Sequence, residues 1–222
     1  MNLLGFDTST AATAACVLRA DGEAFEQAPS FDDLLTAPAH ASELMPAVAR
    51  LLDVAGLAWR DLDAIAVGVG PGTFTGLRIG VATARALATA RGLELRPVSS
   101  LAALAEGIDA PQRLALIDAR RGEVFAALHG PAGEAWEPFV AEPGAVADRL
   151  RGEGLTPRAA GDGSVRFRGL FEAAGARVEP DGSAAHAVRG LHVCRLALEI
   201  RPRPPGAVLP FYLRQPDAKP AQ

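Results

Sequence analysis

Apolar residues along this chain fall first into short runs and then into stretches of helical spacing. Residues 3–6 form an apolar run closed by the polar turn Asp7-Thr8-Ser9-Thr10. Residues 12–18 form a second run, and 23–28 a third after the turn Asp21-Gly22. Short runs between turn signals predict strands, the second and third folding back as an antiparallel meander. Residues 29–39, with Pro29 and Pro38 bracketing Asp32-Asp33, predict a loop. Beyond it, Leu44, Val48, Leu51, Leu52 and Ala55 recur at helical spacing. Ser42 is the expected N-cap there, Gly56 the stop, and Pro46 falls within the first turn or so, where proline is tolerated.

The stretch 64–92, AIAVGVGPGTFTGLRIGVATARALATARG, organises the first half. Its apolar start, 64–69, predicts a buried strand. Gly70-Pro71-Gly72-Thr73 predicts a loop, and a helix follows from Thr75 to about Arg91, stopped by Gly92. Gly76, Gly80, Ala84 and Ala88 recur every fourth residue as a nearly flat stripe. A glycine inside a helix costs about 1 kcal/mol relative to alanine, so two of them imply close approach of another backbone. Residues 95–98 predict a strand, and Ser99-Ser100 caps a short helix through Glu106. The first half is thus a β-β-β-α-β-α unit, with a domain boundary expected at about 102: 1–102 as one domain and 103–222 as the other.

The second half repeats the theme. Residues 113–117 and 124–128 predict a hairpin through Asp118-Ala119-Arg120-Arg121-Gly122-Glu123, with Asp118 placed at its strand end as Asp7 is in the first half. That parallel suggests an internal duplication, although no residue-level repeat accompanies it. Residues 137–141 predict a further strand, 143–152 and 167–174 helices, 159–164 a strand end with a glycine turn, and 184–200 one longer helix. The tail 201–222 carries six prolines and is expected to be extended, with poor order after about Arg214.

Composition narrows the class. The chain has 222 residues, 49% of them hydrophobic, enough for one large domain or two of roughly a hundred residues each. A net charge of −4 argues mildly against tight binding to a nucleic-acid backbone. Cys16 and Cys194, far apart in apolar surroundings, read as reduced core thiols. The N-terminus lacks a basic region, so no signal peptide is expected, and no apolar run approaches the roughly 20 residues of a membrane span. The expectation is a cytoplasmic protein with no membrane association.

Candidate chemistry is sparse. The glycine loop before the helix invites a phosphate-binding reading, yet GxxxxGK[ST] is absent and the only lysine is Lys219. His40, His129, His186 and His192 include no pair at i and i+4, so no metal site is expected. No GxSxG elbow occurs. Asp7 and Thr8 either cap strands locally or touch phosphate. Arg120 and Arg121 either contact phosphate or another polyanion, or close a salt-bridged hairpin turn.

Taken together, DTST, the His40-Ser42-Glu43 helix start, GPGTFTGLRIG, DARRGEVF and PFYLR, in that order, resemble the TsaB family of bacterial tRNA threonylcarbamoyladenosine biosynthesis proteins, once grouped as glycoprotease-like. Ala41 is inserted relative to that family's helix start. The resemblance implies an α/β fold of the actin, Hsp70 and sugar-kinase (ribonuclease H-like) type, with two domains of mixed sheets flanked by helices. It further implies a scaffold subunit without its own catalysis, paired with a TsaD-type transferase. TsaD carries an HxxxH metal site of which only His40 has a counterpart here. A TsaE-type ATPase and tRNA would join through the complex, ATP or ADP could lie at the partner interface, and the chain alone would form a homodimer. The glycine stripe then gains a reading as the partner-facing surface: Phe74, Gly76, Leu77, Gly80, Ala84 and Ala88, with Glu43, Leu44, Ala47 and Leu51 of the preceding helix. Packing of the stripe on the protein's own sheet is the competing explanation. A metal-dependent transferase or peptidase, and an actin-like small-molecule kinase, remain the alternatives from other classes.

Overall fold

The structure is a computed structural model that describes residues 1–214. Two five-stranded mixed sheets are built on one plan. In the first, β1 (Leu3–Asp7), β2 (Ala14–Leu18), β3 (Ala24–Gln27), β4 (Ala64–Gly70) and β5 (Glu94–Ser99) lie in the order β3-β2-β1-β4-β5. In the second, β6 (Arg113–Arg120), β7 (Glu123–Gly130), β8 (Gly133–Ala141), β9 (Arg158–Ala160) and β10 (Arg177–Val178) lie in the order β10-β9-β6-β7-β8. Counted from its own first strand, each sheet reads 3-2-1-4-5. The first strand pairs antiparallel with the second and parallel with the fourth in both. The duplication suspected from two acidic strand ends is therefore a duplication of topology, in an α/β fold of two mixed sheets flanked by helices.

Among the described residues seven α-helices flank the sheets: α1 (His40–Val54), α2 (Phe74–Arg91), α3 (Ser100–Ala105), α4 (Pro143–Glu153), α5 (Asp162–Arg166), α6 (Arg168–Ala173) and α7 (Gly190–Glu199). Alternation along each central strand sorts its side chains between layers. Leu4, Phe6, Ile65 and Val67 point to the side covered by α1 and α2, while Leu3, Ala64 and Ala66 point into a middle layer with α3 and α7. In β6 and β7, Ala115, Ile117, Phe125 and Ala127 join that same middle layer, and Leu114, Leu116, Val124 and Leu128 pack under α4 and α6. Both faces of the inner strands are covered, which is why they appear in the sequence as unbroken apolar runs. Each fully buried Leu or Phe in these layers contributes about 2 kcal/mol relative to exposure.

Local departures from the sequence reading have physical causes. Helix α1 starts at His40, and the Ser42 hydroxyl donates to Ala39 O from within the first turn rather than capping it. Residues 184–200 do not make one helix: a 3-10 turn, Ala184–His186, is separated from α7 by extended backbone at Ala187 and Arg189. Residues 162–164, expected as a turn, open α5. The boundary at 102 separates the strands of the two sheets but not the packing. Helix α7, late in the chain, lies against β1 and β2 and is tied to β3, where Glu26 accepts from the guanidinium of Arg189 and from Leu191 N at 2.9 Å. After α7, Arg203 N donates to Leu95 O and Phe211 N to Val69 O, at 2.8 and 2.7 Å, so the tail also returns to the first sheet. The division 1–102 and 103–222 is corrected to this extent. The expected loss of order after Arg214 lies outside the described residues.

The glycine stripe of α2 meets the turn after β1. A Cβ on Gly76 would collide with Thr8 O, and one on Gly80 with Thr8 Oγ1. Thr8 Oγ1 donates to Gly76 O at 2.7 Å, sealing the contact. Ala84 and Ala88 continue the stripe over the first sheet, fully buried. Gly92 ends the helix with φ +66° and donates its N–H to Ala88 O. The close neighbour that the glycines require is the chain's own turn.

Burial also depresses the basicity of three histidines. Desolvation lowers the pKa of His40, His129 and His192 below the ordinary 6.5, outweighing nearby carboxylates at His40 and His192.

Two outcomes follow from this packing. Gly80→Leu should lower unfolding free energy by about 3 kcal/mol through overpacking against Thr8. Gly152→Ala in α4, where an added Cβ meets nothing, should be neutral or slightly stabilising. Urea midpoints of the two variants check the contrast. A histidine with a lowered folded pKa binds fewer protons folded than unfolded, so stability falls as pH drops from about 6.5 through the folded values. The urea midpoint should therefore decrease between pH 7.5 and 5, and His192→Gln should flatten that slope.

Candidate functional site

The ends of the two central strands, β1 and β6, carry the polar clusters of the molecule. Asp7 closes β1 and is buried. Its Oδ1 accepts from Ser9 N and Ser9 Oγ at 2.7 and 2.6 Å, and its Oδ2 accepts from Ser100 Oγ at 2.5 Å. Ser100 Oγ in turn accepts from Gly70 N at 3.2 Å, and Ser9 O accepts from Thr73 N at 2.7 Å. These bonds join the turn after β1, the loop after β4 and the start of α3 into one fastening. Asp7 and Thr8 are about 1% exposed, with the polar groups of their side chains engaged within the chain.

Asp118, at the corresponding end of β6, sits in a different chemistry. Its side chain is 5% exposed; Oδ1 accepts from Arg120 N at 2.8 Å. Oδ2 meets Arg120 Nη1 at 3.2 Å and Arg166 Nη1 at 2.7 Å. Asp118 N donates to Asp162 Oδ1 at 2.9 Å, and burial pushes the Asp162 carboxyl above its ordinary range. The hairpin to β7 turns through Arg121 and Gly122 with φ +53° and +82°, the left-handed pair of a two-residue turn that matches strand twist. Arg120, at φ +63°, marks the register shift just before it. Arg120 and Arg121 are exposed, unlike Asp7 and Thr8. Arg120 carries the salt-bridge reading of this turn, and its side chain is also half-exposed.

The tail supplies a third group. Tyr212 stacks on Phe74 at 5.1 Å between centroids, Arg78 lies 3.8 Å over Phe74, and Arg78 Nε donates to Tyr212 Oη at 3.3 Å. Arg214 reaches the other half, with Nη1 on Glu123 Oε2 at 2.6 Å and Nη2 on Ala119 O at 2.9 Å. The segment thus spans from the β4 end to the β6–β7 hairpin.

His40, His186 and His192 serve separate local bonds, while the buried Nε2 of His129 has no hydrogen-bond partner among the described residues. His40 Nε2 lies 3.0 Å from Thr10 O and its Nδ1 2.8 Å from Thr13 Oγ1, which also reaches Glu43 Oε2 at 3.0 Å. His186 Nδ1 accepts from Gly161 N at 3.1 Å, and His192 Nδ1 lies 3.2 Å from Ala103 O. Among the described residues no group of three His, Cys, Asp or Glu side chains converges as a metal site would require. Cys16 and Cys194 are free and buried in the middle layer, and burial pushes the Cys194 thiol well up. Among the described residues no helix is long and apolar enough to cross a membrane.

The residues expected to face a partner divide cleanly. Leu44, Ala47, Leu51, Gly76, Leu77, Gly80, Ala84 and Ala88 are buried within the chain itself and are corrected to core positions. Glu43 is exposed and Phe74 half-buried beneath Arg78. The outward faces of the same helices carry Ala41, Met45 and Ala49 on α1, and Ala82, Ala86 and Ala90 on α2, each set at four-residue spacing. Ser100, Arg166 and Asp162 escaped sequence reasoning because their partners are 93 and 44 or more residues away. The only signal in reach was their position just beyond strand ends.

Comparison with known proteins places the chain. The family profile for TsaD, tRNA N6-adenosine threonylcarbamoyltransferase, matches residues 34–154. An uncharacterised protein of Mycobacterium tuberculosis is 34% identical over 235 residues, covering 98% of this chain and 94% of that one. The TsaB protein of Escherichia coli, named for tRNA threonylcarbamoyladenosine biosynthesis, is 36% identical over 132 residues, 56% of this chain and 53% of its own length. A crystal structure from Pseudomonas aeruginosa, described as similar to the peptidase YeaZ, superposes with a TM-score of 0.81 at 30% identity over 96% of this chain and 99% of that one. On sequence and fold alike, the chain belongs to the TsaB/TsaD family of tRNA threonylcarbamoyladenosine biosynthesis proteins.

Proposed function

We propose that this chain is a non-catalytic subunit in the formation of N6-threonylcarbamoyladenosine in tRNA, docked on a TsaD-type transferase through the outward faces of α1 and α2. The observation that carries this reading is the pair of outward stripes, Ala41-Met45-Ala49 and Ala82-Ala86-Ala90, on two helices packed side by side. Neither stripe carries a charge, and small side chains let a partner's helix approach closely. Ile79, half-buried between the faces, adds apolar surface. A self-complementary patch of this kind would also pair two copies when the transferase is missing, giving the homodimer.

Support for a non-catalytic role comes from the state of the reactive groups. Asp7 is engaged by hydroxyl and amide donors, Asp118 by two guanidiniums, and His40 and His186 by separate backbone and side-chain partners. The chemistry then belongs to the transferase, and the tRNA, a TsaE-type ATPase and any ATP or ADP at the interface are engaged through the assembled complex. The buried stripe of α2 supports the proposed docking indirectly, by holding the helix rigidly against the first sheet so that its other face is presented in one geometry.

Ala82→Arg and Ala49→Arg should each weaken association with the transferase at least tenfold, about 1.4 kcal/mol, while the thermal midpoint of the isolated chain stays near wild type. Pull-down and calorimetric titration against the TsaD-type partner measure this, and wild-type affinity in both variants would sink the proposed face. A threonylcarbamoylation assay lacking only this chain should lose its product. Product formed by this chain without the transferase would overturn the non-catalytic reading.

A further inference from the structure

Between the loop that follows β3 and the end of β6 lies an open cleft of about 360 Å³. One wall is apolar, made by Phe31, Leu34 and Leu35 of the first half, with Leu35 68% exposed. The opposite wall carries Arg120 and Arg166 from the second half, and Val165 also lines the cleft. The two guanidinium groups are 56% and 48% exposed, and both spend one nitrogen on the same Asp118 oxygen. A guanidinium has five N–H donors in a planar fork, so most of the donor capacity of each remains for something else. Asp118 is the one carboxylate that both cations share, and it is 5% exposed. Burial also favours the protonated form of the neighbouring Asp162 carboxyl, whose Oδ1 already accepts the Asp118 N–H. Asp33, beside Leu34, is turned onto Ser30, whose N and Oγ it accepts at 2.7 and 2.9 Å. The cleft wall is therefore cationic on one side and greasy on the other, and it is built from both halves of the chain.

We infer that this cleft binds a small organic anion, a phosphate or carboxylate group carried on an apolar body, with Arg120 and Arg166 holding the anion and Phe31, Leu34 and Leu35 covering the body. Arginine pairs favour such groups because their planar forks match the oxygen spacing of phosphate and carboxylate. The apolar wall sets the second half of the specificity, since a bare anion leaves it wet and a neutral aromatic leaves both forks unpaired. The site is independent of the α1 and α2 docking faces, and its occupancy would tie the two halves together through one ligand.

The test uses the full chain with four probes followed by ligand-observed NMR and calorimetry: phenyl phosphate, benzoate, inorganic phosphate and benzyl alcohol. At least one aromatic anion should bind with a Kd of about 1 mM or tighter, more strongly than inorganic phosphate or benzyl alcohol, and more weakly as salt rises. Preference for phenyl phosphate or for benzoate distinguishes the phosphate from the carboxylate source. Arg166→Ala should weaken binding at least tenfold, and Val165→Trp, which fills the cleft and keeps both cations, should abolish it. If Arg166→Ala fails to fold, Arg120→Ala and Arg166→Lys carry the same comparison, the lysine retaining charge without the fork. The inference is overturned if neither aromatic anion binds, if inorganic phosphate binds as tightly as both, or if folded cleft variants bind like wild type.

Discussion

The contact between α2 and the turn after β1 is the constraint on which the first half depends. Thr8 enters the glycine face of the helix so closely that no side chain fits at residues 76 or 80, and its hydroxyl bonds to the helix backbone at Gly76. That contact brings the end of β1 to the loop after β4, where Asp7 can collect Ser9 and Ser100. Two helix-interior glycines cost about 2 kcal/mol together, a price set against the bonds and burial that the approach permits. The polar turn that heads many nucleotide-handling folds is here a fastening, its carboxylate consumed by structure.

The two halves share a plan but not a surface chemistry. Each sheet runs 3-2-1-4-5 with its central strand ending in an aspartate, and the middle layer between the sheets is filled by α3, α7 and the small side chains that face them. In the first half the aspartate is met by hydroxyls and lies out of solvent reach. In the second it is met by two half-exposed arginines. The same topological position thus carries a closed fastening on one side and an open, charged edge on the other. Helix α7 and the tail cross between the halves, so the chain is one cohesive unit despite its duplicated sheets.

The proposed function rests on which side of each helix is occupied. On α1 and α2 most large apolar residues, the glycines and Ala47, Ala84 and Ala88 point inward, while Met45 and Ala41, Ala49, Ala82, Ala86 and Ala90 point outward. A scaffold whose inward face is rigidly clasped can present its outward face without rearrangement, which lowers the cost of docking.

Sequence by itself did not determine β10, α5 or the start of α7. It did determine most strands, the limits of α2, α3, α4 and α6 to within a residue or two, and the demand for a close neighbour on the glycine stripe. These are local matters: period-2 or period-3.6 burial, the left-handed cap at Gly92, and the absence of a Cβ at residues 76 and 80. The ordered motifs DTST, GPGTFTGLRIG and DARRGEVF also carried the family. Only the tertiary structure decided who the neighbour was, because α2 is apolar nearly all round and periodicity cannot rank its two buried-looking sides. The same holds for Ser100 on Asp7, 93 residues apart, and for Arg166 on Asp118, 48 residues apart. Such pairs are brought together by strand order, and strand order is set by the packing of whole layers, not by any residue's spacing along the chain.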